Sequence, residues 1–256
     1  MFIFEEDIKI KRSYPPLATN LKRFASGVFL LTLFSVSSLF AQKGEWRKSF
    51  SVDKKDLGTP VDNPYFFLKP GSRLNYRHGK AKLTRTVTDR PKTVASIAVV
   101  VVEDREERDG KLVEVTRDYY AMDKTTQDVY YFGEDVNNYE AGKGVSHEGS
   151  WLSGVDGASF GLIMPGEPKA GDRFCEELGP STGLNRGEIV GTNEKVKTPA
   201  GTFEHCVQVK ETSPKEKGAV DHKWYAPGIG LVKDNDLVLE KIEEIITKPI
   251  DLDDQH

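Results

Sequence analysis

Two segments of this chain read as copies of one β-rich unit, and that repetition limits the possible folds more than any other feature. Lys69-Pro70-Gly71-Ser72-Arg73-Leu74 matches Lys169-Ala170-Gly171-Asp172-Arg173-Phe174 at an offset of 100. Val99–Val102 corresponds to Cys206-Val207-Gln208-Val209 at an offset of 107. Asp118-Tyr119-Tyr120-Ala121 corresponds to Lys223-Trp224-Tyr225-Ala226 at an offset of 105. The landmarks keep their order while the offsets drift by a few residues. The copies span residues 69–134 and 169–233, with 135–168 as the connector between them.

Each copy reads as a meander. In the first, strands are expected over 72–78, 81–89, 94–104, 112–122 and 128–133. Leu83 and Val87 share one side of the second strand. Four consecutive valines at 99–102 point to burial on both faces of the third. Asp109-Gly110 is a hairpin signal. In the second copy, strands are expected over 173–178, 187–197, 203–212, 219–226 and 230–233. Phe203, His205, Val207 and Val209 alternate with Glu204, Cys206, Gln208 and Lys210. Residues 237–247 fit either a strand or a short helix. The Lys233-Asp234-Asn235-Asp236 turn that feeds them favours a strand. No helical periodicity is sustained between residues 42 and 232. The fold class is therefore all-β. About ten to twelve antiparallel strands are expected, in a duplicated meander that closes as a barrel, half-barrel or sandwich. Residues 62–247 form a single β domain on this reading, with a polar leader at 42–61 and a C-terminal tail at 248–256.

Lys22-Arg23 precedes an apolar run from Phe24 to Phe34, and small residues follow up to Ala41. That order of charge, short apolar run and small residues is an export signal. Cleavage is expected after Ala41, with Ser38 as the alternative. The run is short for a bilayer span, so no stable membrane span is expected after cleavage. Residues 1–20 fit no signal pattern, and a translation start at Leu21 would give a compact signal. No Cys follows the apolar run in lipobox position. A periplasmic or extracellular location follows. The formal net charge is −4, and residues 1–41 hold more basic than acidic groups, so the remainder is more acidic still. Without a basic excess there is no counterion release to drive nucleic-acid binding, and no nucleic-acid partner is expected.

Asp62–Gly71 (D-N-P-Y-F-F-L-K-P-G), Val129–Glu134 (V-Y-Y-F-G-E), Glu148–Ala158 (E-G-S-W-L-S-G-V-D-G-A) and His222–Val232 (H-K-W-Y-A-P-G-I-G-L-V) occur in this order. The pattern resembles a widespread family of secreted or lipid-anchored bacterial β-rich proteins of uncharacterised activity. The similarity spans residues 62–233. It implies an exported β domain and supplies no catalytic residues. The stretch 176–185 is richer in Gly and Pro here than in many relatives.

The connector holds the most suggestive residues. Glu148, Trp151 and Asp156 lie in a Gly-rich run, and Tyr131 lies among the aromatics that end the first copy. Aromatic platforms flanked by acids bind sugars or cations, and paired carboxylates such as Glu134-Asp135 with Glu148 and Asp156 could hydrolyse glycosides. The plainer reading is that the aromatics fill the core and the acids solvate turns. Asp156-Gly157 is first a turn signal. Cys175 and Cys206 form a candidate disulfide, because exported pairs usually oxidise. Such a bridge would close about 32 residues and contribute about 3–4 kcal/mol. His205, Cys206 and His222 could offer soft metal ligands, but alternation sends His205 and Cys206 to opposite faces, so no metal site is expected. No phosphate loop, nucleophile elbow or zinc spacing is present, and no cofactor is expected. The favoured function is a non-enzymatic, envelope-associated binding or structural role. Its partner would be a small molecule, glycan or envelope component. The alternative is a hydrolase of glycosides or envelope polymers.

Overall fold

The structure is a computed structural model that describes residues 45–139 and 144–244. The expected export signal, its expected cleavage points and the tail lie outside the described residues. Nineteen strands and one 3-10 turn make up the described chain. Short strands β1 (Leu57–Gly58), β2 (Val61–Asp62) and β3 (Phe67–Leu68) lead in. The first meander is β4 (Ser72–His78), β5 (Ala81–Val87), β6 (Lys92–Val94), β7 (Ile97–Arg108), β8 (Lys111–Asp123) and β9 (Val129–Tyr139). Then come β10 (Val145–Ser146), β11 (Trp151–Leu152) and β12 (Ser159–Met164). The remainder is β13 (Arg173–Cys175), β14 (Glu177–Leu178), β15 (Arg186–Thr198), β16 (Gly201–Thr212), β17 (Asp221–Ala226), β18 (Gly230–Asp234) and β19 (Leu237–Glu244).

The all-β class holds, with more strands than expected because short ones flank the long meanders. The ambiguous segment is a strand, β19, and it pairs with both β18 and β4. From β4 the ladder runs through β5, β7 and β8 to β9. From β19 it runs back through β18, β17 and β16 to β15. The two arms meet through β12, which pairs with β9 and β14, and through β13, which pairs with β15. One antiparallel sheet thus nearly closes into a barrel, which leaves few of its strand edges open.

Local sequence explains the corners. The β7–β8 hairpin turns on Asp109 and Gly110, both with positive φ (53° and 74°), as a two-residue primed turn requires. The valine run is buried throughout, from Val99 to Val102. The stretch 146–166 is more than a link. Its strands β11 and β12 extend the sheet beside β9 and carry the closure. That closure needs close backbone approach. A Cβ on Gly161 would lie 2.4 Å from the carbonyl oxygen of Cys175.

The two segments aligned in sequence share local ladders. Gly71 N donates to Val87 O at 2.9 Å, and Gly171 N donates to Ile189 O at 2.8 Å. Asp118 lies opposite Glu134 and Tyr120 opposite Tyr131, with Phe132 bulged out of register. Lys223 lies opposite Asp234 and Tyr225 opposite Leu231, with Val232 bulged at the matching place. Each bulge restores phase after one extra residue. Positions three apart, Tyr131 with Glu134 and Leu231 with Asp234, therefore face the same way.

The expected Cys175–Cys206 disulfide is corrected here: both cysteines are free and buried. Cys175 lies opposite Arg186 on β15, whereas Cys206 lies opposite Glu194 on the same strand. That spacing is about 25 Å at ~3.3 Å per residue, far beyond the ~7 Å reach of a disulfide. The expected alternation also fails locally. His205 takes a positive φ of 55°, and Cys206 and Val207 are buried in succession.

Candidate functional site

The inner face of this sheet carries ionisable groups among its buried apolar residues. On β5, Arg85 shares the phase of the buried Leu83 and Val87. On β16, Glu211 shares the phase of the buried Val207 and Val209. On β8, Glu114, Thr116, Asp118 and Tyr120 follow at the two-residue period of one strand face. With Asp104, Glu134, Glu176, Lys223 and Asp234 they line an interior cavity of about 270 Å³.

Two partly buried ion pairs organise this space. Arg85 holds Asp104 in a bidentate grip, with Nε 3.0 Å from Oδ1 and a terminal nitrogen 2.6 Å from Oδ2. Lys223 Nζ lies 2.6 Å from Glu211 Oε2. Tyr131 donates its hydroxyl to Asp118 Oδ1 at 2.7 Å and stacks on Tyr120 at 5.1 Å between ring centres. Burial is the main force on Asp118, Glu134 and Glu176. It pushes the Asp118 carboxyl up to about 6, with Asp104 adding repulsion and Arg85 opposing it. It pushes Glu134 up to about 8, reinforced by Asp118 and Glu177. Glu176 is held well above the usual carboxylate range by burial and by Glu211. Burial is the largest single influence on Lys223 and opposes its charge, but Glu211, Tyr225, Asp234 and Glu176 together outweigh it and hold the amine well above its ordinary value.

Glu176 is 4% exposed and Glu211 9% exposed. Each has a buried Oε1 atom with no hydrogen-bond partner among the described residues. Glu176 sits at the break between β13 and β14, where the barrel closes.

The residues singled out from sequence divide. Tyr131 lines the cavity. Trp151, 5% exposed, packs edge-on against Tyr131 at 5.2 Å, and its indole Nε1 is buried without a hydrogen-bond partner among the described residues. Asp156 is exposed in a turn with a positive φ of 49°. Together with Trp151 and Asp135 it lines a shallow outer hollow of about 220 Å³. Glu148 is exposed on a neighbouring turn and does not line that hollow. His205 bonds Asn193 at 2.6 Å and His222 bonds Gln208 at 3.0 Å. Among the described residues, no three His, Cys, Asp or Glu side chains are grouped to hold a metal ion. Sequence reasoning missed Arg85, Asp118, Glu176, Glu211 and Lys223. Arg85 and Glu211 did leave a signal, since each is a charge lying in the apolar phase of its strand.

No protein-family model and no curated protein matches the chain. Among solved structures, the chain is similar to a protein provisionally described as a lipoprotein from Parabacteroides distasonis, determined at 2.70 Å. The similarity is 15% identity over 71% of this chain and 100% of that one, with a TM-score of 0.37.

Proposed function

We propose that this is an exported, envelope-associated binding protein that takes a small polar ligand inside its β scaffold. The observation that carries this reading is the interior cavity, walled by ionisable groups and holding two buried carboxylate oxygens without partners. Buried polar atoms are normally satisfied, and exceptions concentrate at functional sites. Ligand pockets place a few convergent polar groups in a concave wall, and this one lies just below the usual volume range of about 300–1,000 Å³. A small ligand fits that size. The location rests on the sequence: the charged, apolar and small-residue order before Gln42, and the resemblance to exported bacterial β-rich proteins.

The hydrolase alternative would draw on the outer hollow beside Trp151, where Asp135 and Asp156 stand. That hollow is shallow and Glu148 lies outside it, whereas a glycosidase sets two carboxyls across a cleft. The non-enzymatic reading is therefore preferred.

Two measurements test the proposal. Small amines, sugars and dicarboxylates are titrated against the purified protein while its Tm is followed. At least one class should raise Tm with increasing concentration, as a ligand of the native state must. A folded protein that responds to none of them has no binding function of this kind. Cell fractionation with N-terminal sequencing should find the chain outside the cytoplasm, beginning at Gln42. A cytoplasmic chain that retains its first 41 residues would overturn the export reading.

A further inference from the structure

We propose that the cavity takes a small organic cation with N–H donors, an amine or a guanidine, held by Glu134, Glu176 and Glu211 beside the Tyr120–Tyr131 rings. This inference rests on the cavity being a binding site, and it names the ligand class.

The argument begins with charge. Arg85 and Lys223 are the basic residues of the lining, and both are committed, Arg85 to Asp104 and Lys223 to Glu211. Neither Glu134 nor Glu176 makes an ion pair with a basic side chain among the described residues. The interior therefore holds more acid than base. In a low-dielectric space that excess repels an anion and attracts a cation.

Hydrogen bonding adds a second constraint. The Oε1 atoms of Glu176 and Glu211 accept nothing from the described residues, although both residues are buried and line the cavity. An ionised carboxyl oxygen only accepts, so a cation with N–H donors satisfies both Oε1 atoms and also favours the ionised form of Glu176. A protonated amine or guanidinium supplies several donors and a charge together. The aromatic pair supplies the third. Tyr120 and Tyr131 both line the cavity, and ring faces attract cations within about 6 Å. The donor arrangement favours an extended molecule over a single ion, since no three acids cluster as metal ligands among the described residues.

The test uses the full protein with putrescine as the probe, alongside succinate, glucose and calcium chloride. Calorimetry should show saturable binding of putrescine alone. Glu176→Gln and Glu134→Gln should each weaken it at least tenfold, with circular dichroism confirming the fold. Each variant removes an ionisable carboxyl and keeps its volume. If a variant does not fold, proton spectra of the wild type decide: the ring signals of Tyr120 and Tyr131 should shift with putrescine, and no shift overturns the inference. Retained affinity in both folded variants also overturns it. If succinate, glucose or calcium binds and putrescine does not, the cavity is a binding site and the cation inference falls alone. If nothing binds, both readings fall.

Discussion

Glu134 shows how one side chain can link the interior to solution conditions. Its carboxyl is pushed up to about 8 by burial first, then by Asp118 on β8 and Glu177 on β14. Glu114 on β8 adds to the rise, and Tyr131 on its own strand opposes it through a hydrogen bond. The folded protein thus holds this proton more tightly than the unfolded chain does. A group of this kind contributes most at low pH, and its contribution is lost as pH rises from the ordinary carboxylate value of 4.5 to about 8. Glutamine at this position cannot ionise. Glu134→Gln should therefore melt about 3 °C or more above wild type at pH 8, with the gap closing by pH 4. Parallel melting curves across that window would show that Glu134 carries no buried charge. Part of this was legible in the chain. Glu134 stood out beside Tyr131, but its inward aim depends on the bulge at Phe132, which strict alternation does not anticipate. Glu176 left no signal at all, because its role comes from a break between two short strands.

At the level of strands, the long ladders were readable and the closure was not. The meanders show themselves through period-two alternation and turn chemistry, which act locally. The Asp-Gly hairpin and the strand that follows the Asn235 turn are examples. The closure depends on β12 approaching residues 175–178, and nothing local in 146–166 encodes that partner. Its glycines read as loop residues, yet Gly161 is fixed by contact with a backbone far along the chain. Alanine there would press on Cys175 O and on the Glu176 carbonyl, at 2.4–2.5 Å from its Cβ. Backbone cannot rotate away as a side chain can, so strands β12 and β13–β14 must part. Gly161→Ala should cost about 1–3 kcal/mol, as overpacking of a tight contact does. Urea unfolding would show this as a lower midpoint with an unchanged slope. An unchanged midpoint would mean that the closure can yield without loss.

Taken whole, the molecule holds its ring together without a covalent tie. The two meanders join through β19 against β4 at one side and through β12 with β13–β14 at the other. Matching positions of the two segments contribute Asp118 with Glu134 and Lys223 with Asp234 to the same interior. The cysteines take no part in holding the two arms. Each pairs with a different end of β15, and a bridge between them would require dismantling that strand. Burial pushes the Cys206 thiol up to about 11 and raises that of Cys175 as well, and thiols held protonated react slowly. Two thiols per chain should therefore titrate in denatured, unreduced protein. The native protein should resist alkylation near neutral pH, and reductant should leave its Tm unchanged. Fewer than one thiol per chain after denaturation would mean that the strands around β15 rearrange to let the cysteines meet. The stability of the barrel would then have to be assigned to that bridge in place of the seam at Gly161.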